Sequence, residues 1–108
     1  MANTFKLKTK ANVGVSTSNV YVVPSATTTV VIGVTLANTS GSSINVGVGV
    51  TRASTDDVKL MKNVPIPQGS SFEFMAGNKV VLATTDTLTA ESDVSNSLDV
   101  ALTIMEIT

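Results

Sequence analysis

Asp56 and Asp57 are the one adjacent carboxylate pair in the chain. Two neighbouring carboxylates are a start toward a divalent-cation site or an acid–base pair. A hard cation needs further oxygen ligands at fixed spacing, and no EF-hand-like run follows Asp57. Cleavage of a glycosidic bond needs a substrate cleft lined with aromatic rings and hydrogen-bond donors. Phe5, Tyr21, Phe72 and Phe74 are the only aromatic residues, which is little to build one from. The pair therefore reads as a solvated turn or as a cap on the strand that follows.

The other reactive side chains lead to the same place. Serine and threonine are abundant, but a hydroxyl nucleophile needs an activating base. Histidine and cysteine are absent. Imidazole catalysis, thiolate chemistry, disulfides and most metal ligation are thereby excluded. Gly47-Val48-Gly49 lacks the remaining glycine and lysine of a phosphate loop and sits inside a strand pattern. Asn38-Thr39-Ser40 fits the glycosylation sequon, a chance match where no secretory signal precedes it. The sequence predicts no catalytic residue, no metal site and no cofactor. It points to contact rather than catalysis.

Charge is the feature that suggests contact. The net value is −1, which leaves no electrostatic footprint for nucleic acid. Residues 1–55 carry Lys6, Lys8, Lys10 and Arg52 and no acid, for +4. The remainder carries three lysines and eight acids, for −5. Such asymmetry between segments suggests interaction. Lys6, Lys8 and Lys10 recur at period two, so an extended N-terminus shows three ammonium groups in a row. One reading is lysine protection of an edge strand. The other is a docking arm that reaches an acidic neighbour. Tyr21 reads either as a surface anchor or as a half-buried strand residue, with Phe72 and Phe74 as core. The candidate interaction residues are Lys6, Lys8, Lys10, Tyr21 and Arg52.

The elements that position these residues are strands. Valine, threonine and serine dominate, and β-branched side chains favour pleated structure. Helical periodicity is nearly absent. Ile44 to Thr51 alternates cleanly, with Ile44, Val46, Val48 and Val50 on one face. Gly47 and Gly49 on its other face imply a close backbone neighbour or a bend. Thr28 to Ala37 puts Val30, Ile32, Val34 and Leu36 on one face, and the polar Asn38 to Ser43 should close a hairpin between the two. Asn19 to Val23 ends at Pro24. Asp57 to Met61 is short, and Val64-Pro65-Ile66-Pro67 reads as an extended bend. Ser71 to Met75 and Lys79 to Ala83 flank a turn at Ala76-Gly77-Asn78. Leu88 and Ala90 mark another strand. Leu98 to Ile107 puts Leu98, Val100, Leu102 and Ile104 on one face and Asp99, Ala101, Thr103 and Met105 on the other. Turn signals at such spacing predict an all-β fold: an antiparallel β-sandwich or jelly roll of about eight or nine short strands. Residues 1–18 form a basic arm or edge strand, and 19–108 a single sandwich domain.

The strand faces meant for solvent hold Thr, Ser, Asn, Gly and Ala. Charged residues make up 14% of the chain, against about 25% in ordinary soluble domains. Such a surface suits burial against other subunits or copies of itself. Met1 to Lys10 has no apolar signal region, and no run approaches the roughly 18 apolar residues of a membrane helix. The expectation is a chain made in a host cytoplasm with no membrane partner.

The run Tyr21 to Val50, YVVPSATTTVVIGVTLANTSGSSINVGVGV, resembles a segment of small virion structural proteins of tailed phages, cyanophages included. Val64-Pro65-Ile66-Pro67-Gln68-Gly69-Ser70-Ser71, Val80-Val81-Leu82 and Asp86-Thr87-Leu88 resemble the second half of the same proteins. The resemblance implies a β-sandwich present in many copies on the particle, and it carries no catalytic residue. The expected function is a capsid decoration (cement) protein that bridges capsomers. A tail, neck or fibre-attachment subunit is the alternative, and a carbohydrate- or ligand-binding sandwich a further one. The expected partners are the major capsid protein or other virion subunits, together with copies of the chain itself in an oligomer, a trimer among the options. The expected location is the virion.

Overall fold

The computed structural model of the chain describes residues 3–52, 56–74 and 80–108. The turn expected at Ala76-Gly77-Asn78, and the strand start expected at Lys79, lie outside the described residues. The strands are β1 (Asn3–Val13), β2 (Ser18–Val22), β3 (Thr28–Asn38), β4 (Ile44–Thr51), β5 (Asp57–Ile66), β6 (Ser71–Phe74), β7 (Val80–Leu82), β8 (Thr87–Ser92) and β9 (Leu98–Ile107). β1 pairs with β9, β2 with β8, β3 with β6 and β7, and β4 with β5, all antiparallel. These pairings are nested, as in one long ribbon doubled back between β4 and β5. Rolling the ribbon lays β9 against β3 and β8 against β4. Two sheets result: β1-β9-β3-β6 with β7 also on β3, and β2-β8-β4-β5. This nested antiparallel sandwich is a jelly roll.

The period-two side chains of β9 and β4 meet between the sheets. Leu98, Val100, Leu102 and Ile104 face Ile44, Val46 and Val48, all buried, with Leu36, Leu82 and Leu88 beside them. Each such side chain contributes about 1.5–3 kcal/mol through burial. At Gly49 the close neighbour foreseen for β4 is the Val58 carbonyl of β5, which an added Cβ would meet at 2.9 Å.

Three expectations are corrected. Val31 and Val34 are both buried, because the β3–β9 register shifts between Val31 and Gly33. This bulge at Ile32 moves Val30 and Ile32 to the outer face, so the four expected apolar residues do not share a side. β3 and β4 are not a hairpin, since they belong to different sheets. Asn38 redirects the chain. Its buried Nδ2 donates toward the Ser42, Ile66 and Pro67 carbonyls at 2.8, 2.9 and 3.2 Å. Its Oδ1 accepts from Ser40 N–H at 2.9 Å. These bonds hold an arch that a two-stranded hairpin would not need. Third, β5 runs through Pro65 to Ile66 instead of stopping at Met61. An edge strand tolerates a residue with no N–H to donate, and two register shifts against β4 absorb the extra length.

Candidate interaction surface

The orientation of β1 decides what the N-terminus can touch. Directly opposed residues of an antiparallel pair share a face. Lys6, Lys8 and Lys10 lie opposite Ile104, Leu102 and Val100, which all point into the sandwich. The three lysines therefore stand on the inward side of an edge strand. Inward charge on an edge blocks pairing with further strands. Phe5 and Leu7 take the outward side and are 70% and 64% exposed. Residues Asn3–Val13 are an edge strand, bonded to β9 along most of their length, and not a free arm.

Lys6 is already engaged. Its Nζ lies 2.8 Å from Glu106 Oε1. Glu106 is buried, and its Oε2 accepts the Tyr21 hydroxyl at 2.5 Å. The same hydroxyl lies 2.8 Å from Thr29 Oγ1. Tyr21 comes from the second sheet, while Lys6, Thr29 and Glu106 come from the first, so the cluster clasps the sheets together. The Lys6 hydrogen bond, then that of Tyr21, holds the Glu106 carboxyl below its ordinary range against the opposing effect of burial. Burial, then the hydrogen bond to Glu106, pushes Tyr21 up to about 12. Tyr21 is 6% exposed and is no surface anchor.

The remaining candidates divide. Arg52 is half exposed, with Nε 3.4 Å from Asp86 Oδ2. Asp86 also accepts the Ala83 N–H at 3.0 Å. Two first-half cations thus meet second-half acids inside the same chain, which uses up part of the charge split. Lys8 and Lys10 form no ion pair among the described residues, and Lys10 is exposed. Asp56 and Asp57 are exposed where β5 begins. Phe72, expected in the core, is 38% exposed.

The outer faces of the two sheets differ. On the first sheet the ladder places Val81, Val30, Met105 and Phe5 in one row across four strands. Val81 is 64% exposed, and Leu7 and Ile32 extend the apolar area in the next row. Toward the other end of the face Thr9, Ala11, Thr35, Ala37 and Ala101, with Lys10 and Asp99 beside them, line a shallow hollow of about 210 Å³. The second sheet turns Asn45, Gly47, Gly49 and Thr51 outward from β4. Over them Lys59 Nζ reaches Glu91 Oε1 at 2.6 Å.

Phe5, Leu7 and Val81 were not singled out as contact residues. The alternation Phe-Lys-Leu-Lys is symmetric: it says that two faces differ, not which one points inward. Only the register against β9 decides that. Comparison with protein-family models, with curated proteins and with solved structures finds no match for this chain.

Proposed function

We propose that the chain is a structural subunit of a phage virion, a capsid decoration protein that bridges and stabilises neighbouring capsomers. The observation that carries this reading is the apolar outer face of the first sheet, with Phe5, Leu7 and Val81 exposed on a surface of low charge. An exposed apolar patch of this kind marks a contact surface. The resemblance of Tyr21 to Val50 to small virion proteins supports the same setting. So does the jelly roll, an architecture found in viral capsid and lectin domains, although a fold alone does not decide a function. Sugar binding has less support, because the single tyrosine is spent in the clasp with Glu106.

The mechanism is mechanical. Weak contacts, repeated by the symmetry of the shell, resist internal pressure. The test is to find the protein in purified particles and count it. Copies spread over the capsid lattice support the reading, and copies confined to a tail or neck ring overturn it in favour of a tail subunit.

A further inference from the structure

We infer that two copies of this chain pair face to face through the outer surface of the first sheet, each seating Phe5 and Leu7 in the other's hollow of small residues. The inference deepens the reading above, on which it rests only for the particle setting.

The face carries relief of two kinds, arranged lengthwise. The row of Phe5 and Met105, and the next row with Leu7 and Ile32, stand proud. The following rows hold Thr9, Thr35 and Ala101, then Ala37 and Asp99. These second rows line the 210 Å³ hollow. A surface with knobs at one end and a hollow at the other is complementary to itself reversed. A two-fold axis in the plane of contact, across the strands at the level of Lys8 and Leu102, performs that reversal. Phe5 of one copy then lies over Ala11 of the other, and Leu7 over Thr9. Every contact occurs twice, as an isologous interface requires. Aligned packing of two sheet faces is an ordinary arrangement.

Charge permits the pairing. Among the described residues the charged groups at the face are Glu73, Asp99 and Lys10, all in or beside the rows of small residues. Reversal lays each acid over the partner's uncharged end, so like charges stay apart. The area also suffices. Three strands of ten or eleven residues, with the short β6 and β7 beside them, offer about 600 Å² per copy at ordinary strand rise and spacing. Two such faces bury about 1,200 Å², the lower bound for stable specific interfaces. Gly33, in the middle of the face, has open space where a Cβ would stand. Among the described residues, nothing covers it.

The test is sedimentation equilibrium of the purified full chain at tens of micromolar. Twice the chain mass is expected. The double variant Phe5→Lys with Leu7→Lys should halve the sedimenting mass and leave the far-ultraviolet circular dichroism unchanged, since both side chains are largely exposed in the monomer. Ala101→Arg, which fills the hollow, should do the same from the opposite side of the contact. Val22→Lys, at a 51% exposed position on the outer face of the second sheet, should remain a dimer. A monomeric native chain overturns the inference, as does a dimer that survives both first-sheet variants. A monomer whose particle attachment is lost in the double variant also overturns it, because the face then covers capsid protein. A dimer sensitive to Phe5 and Leu7 that never attaches to particles supports the inference and sinks the virion reading.

Discussion

The outer faces of the two sheets are built on one core and solve the same problem in opposite ways. Each has a glycine at an outward position. On the second sheet, Gly47 and Gly49 form a trough that the chain itself fills. An added Cβ at Gly49 would meet the Val58 carbonyl, Lys59 Cδ and Thr89 Oγ1, and one at Gly47 would meet Glu91 Cγ. The Lys59–Glu91 ion pair lies across that trough. On the first sheet, Gly33 faces open space, and its neighbours are Thr103, Leu7 and Ile32. One face is covered by its own side chains, and the other, among the described residues, is not. The difference teaches that a glycine in a strand is no signal by itself. What matters is whether the molecule has already covered it.

The largest effect should come from the same substitution made at these two places. Gly49→Ala drives a methyl into a backbone carbonyl of β5, which cannot swing away as a side chain can. A loss of about 1–3 kcal/mol is expected. Gly33→Ala meets nothing among the described residues and needs no left-handed backbone. It should stabilise by about 0.4–1 kcal/mol, by restricting the unfolded chain. Urea unfolding of both variants checks this. Equal changes of one sign would erase the contrast between the faces.

Next in size is the clasp that holds β1 with its apolar side outward. Tyr21→Phe removes the hydroxyl shared by Glu106 and Thr29. A loss of about 1–2 kcal/mol is expected at neutral pH. The pH dependence is two-sided. Glu106 is held below its ordinary 4.5 in the folded state. Its contribution is therefore present above pH 4.5 and is lost as pH falls from there through the folded value. Tyr21 is raised from 10.0 to about 12. Its contribution is complete below pH 10 and is lost between 10 and about 12. Denaturation midpoints measured across pH should show a plateau with both shoulders. Glu106→Gln should flatten the acid shoulder, and Tyr21→Phe the alkaline one. A native chain without the acid shoulder would mean that Lys6 is not held by Glu106 in solution. The outward placing of Phe5 and Leu7 would then lose its anchor.

How far these features were legible varies by strand. The alternations of β4 and β9 gave their inward faces directly, because both run against the core without an internal change of side. β3 looked as regular, but the bulge at Ile32 exchanges its faces midway. A bulge is set by the partner strand's register, which one strand's pattern does not contain. The turn residues of Asn38 to Ser43 were legible as a turn. That they make an arch between sheets depends on Asn38 reaching the Ile66 carbonyl, 28 residues away. For Tyr21 the strand was legible and the partner was not, for the same reason. Its acceptor, Glu106, lies 85 residues off. The lysines of β1 were recognised as edge protection or as an arm. Their inward direction, and with it the exposure of Phe5 and Leu7, belongs to the pairing with β9.

The smallest effect tests what covers the second sheet. The side chains of Lys59 and Glu91 are 45% and 35% exposed, so their attraction is screened by water and salt. An exposed pair of this kind contributes about 0.2–1 kcal/mol. The lysine stem has a second part to play, since its Cδ lies over Gly49 and a methylene chain can shield apolar and backbone surface. Lys59→Ala removes charge and cover together, while Lys59→Met removes the charge and keeps the stem. If charge does the covering, both variants lose the same fraction of a kcal/mol, and the native advantage fades in molar salt. If the stem does it, Lys59→Met stays close to the native chain and Lys59→Ala alone loses stability at every salt concentration. The close packing at Gly49 favours the second outcome. The second face would then be closed by packing of its own side chains, a cover that Gly33 on the first face does not have among the described residues.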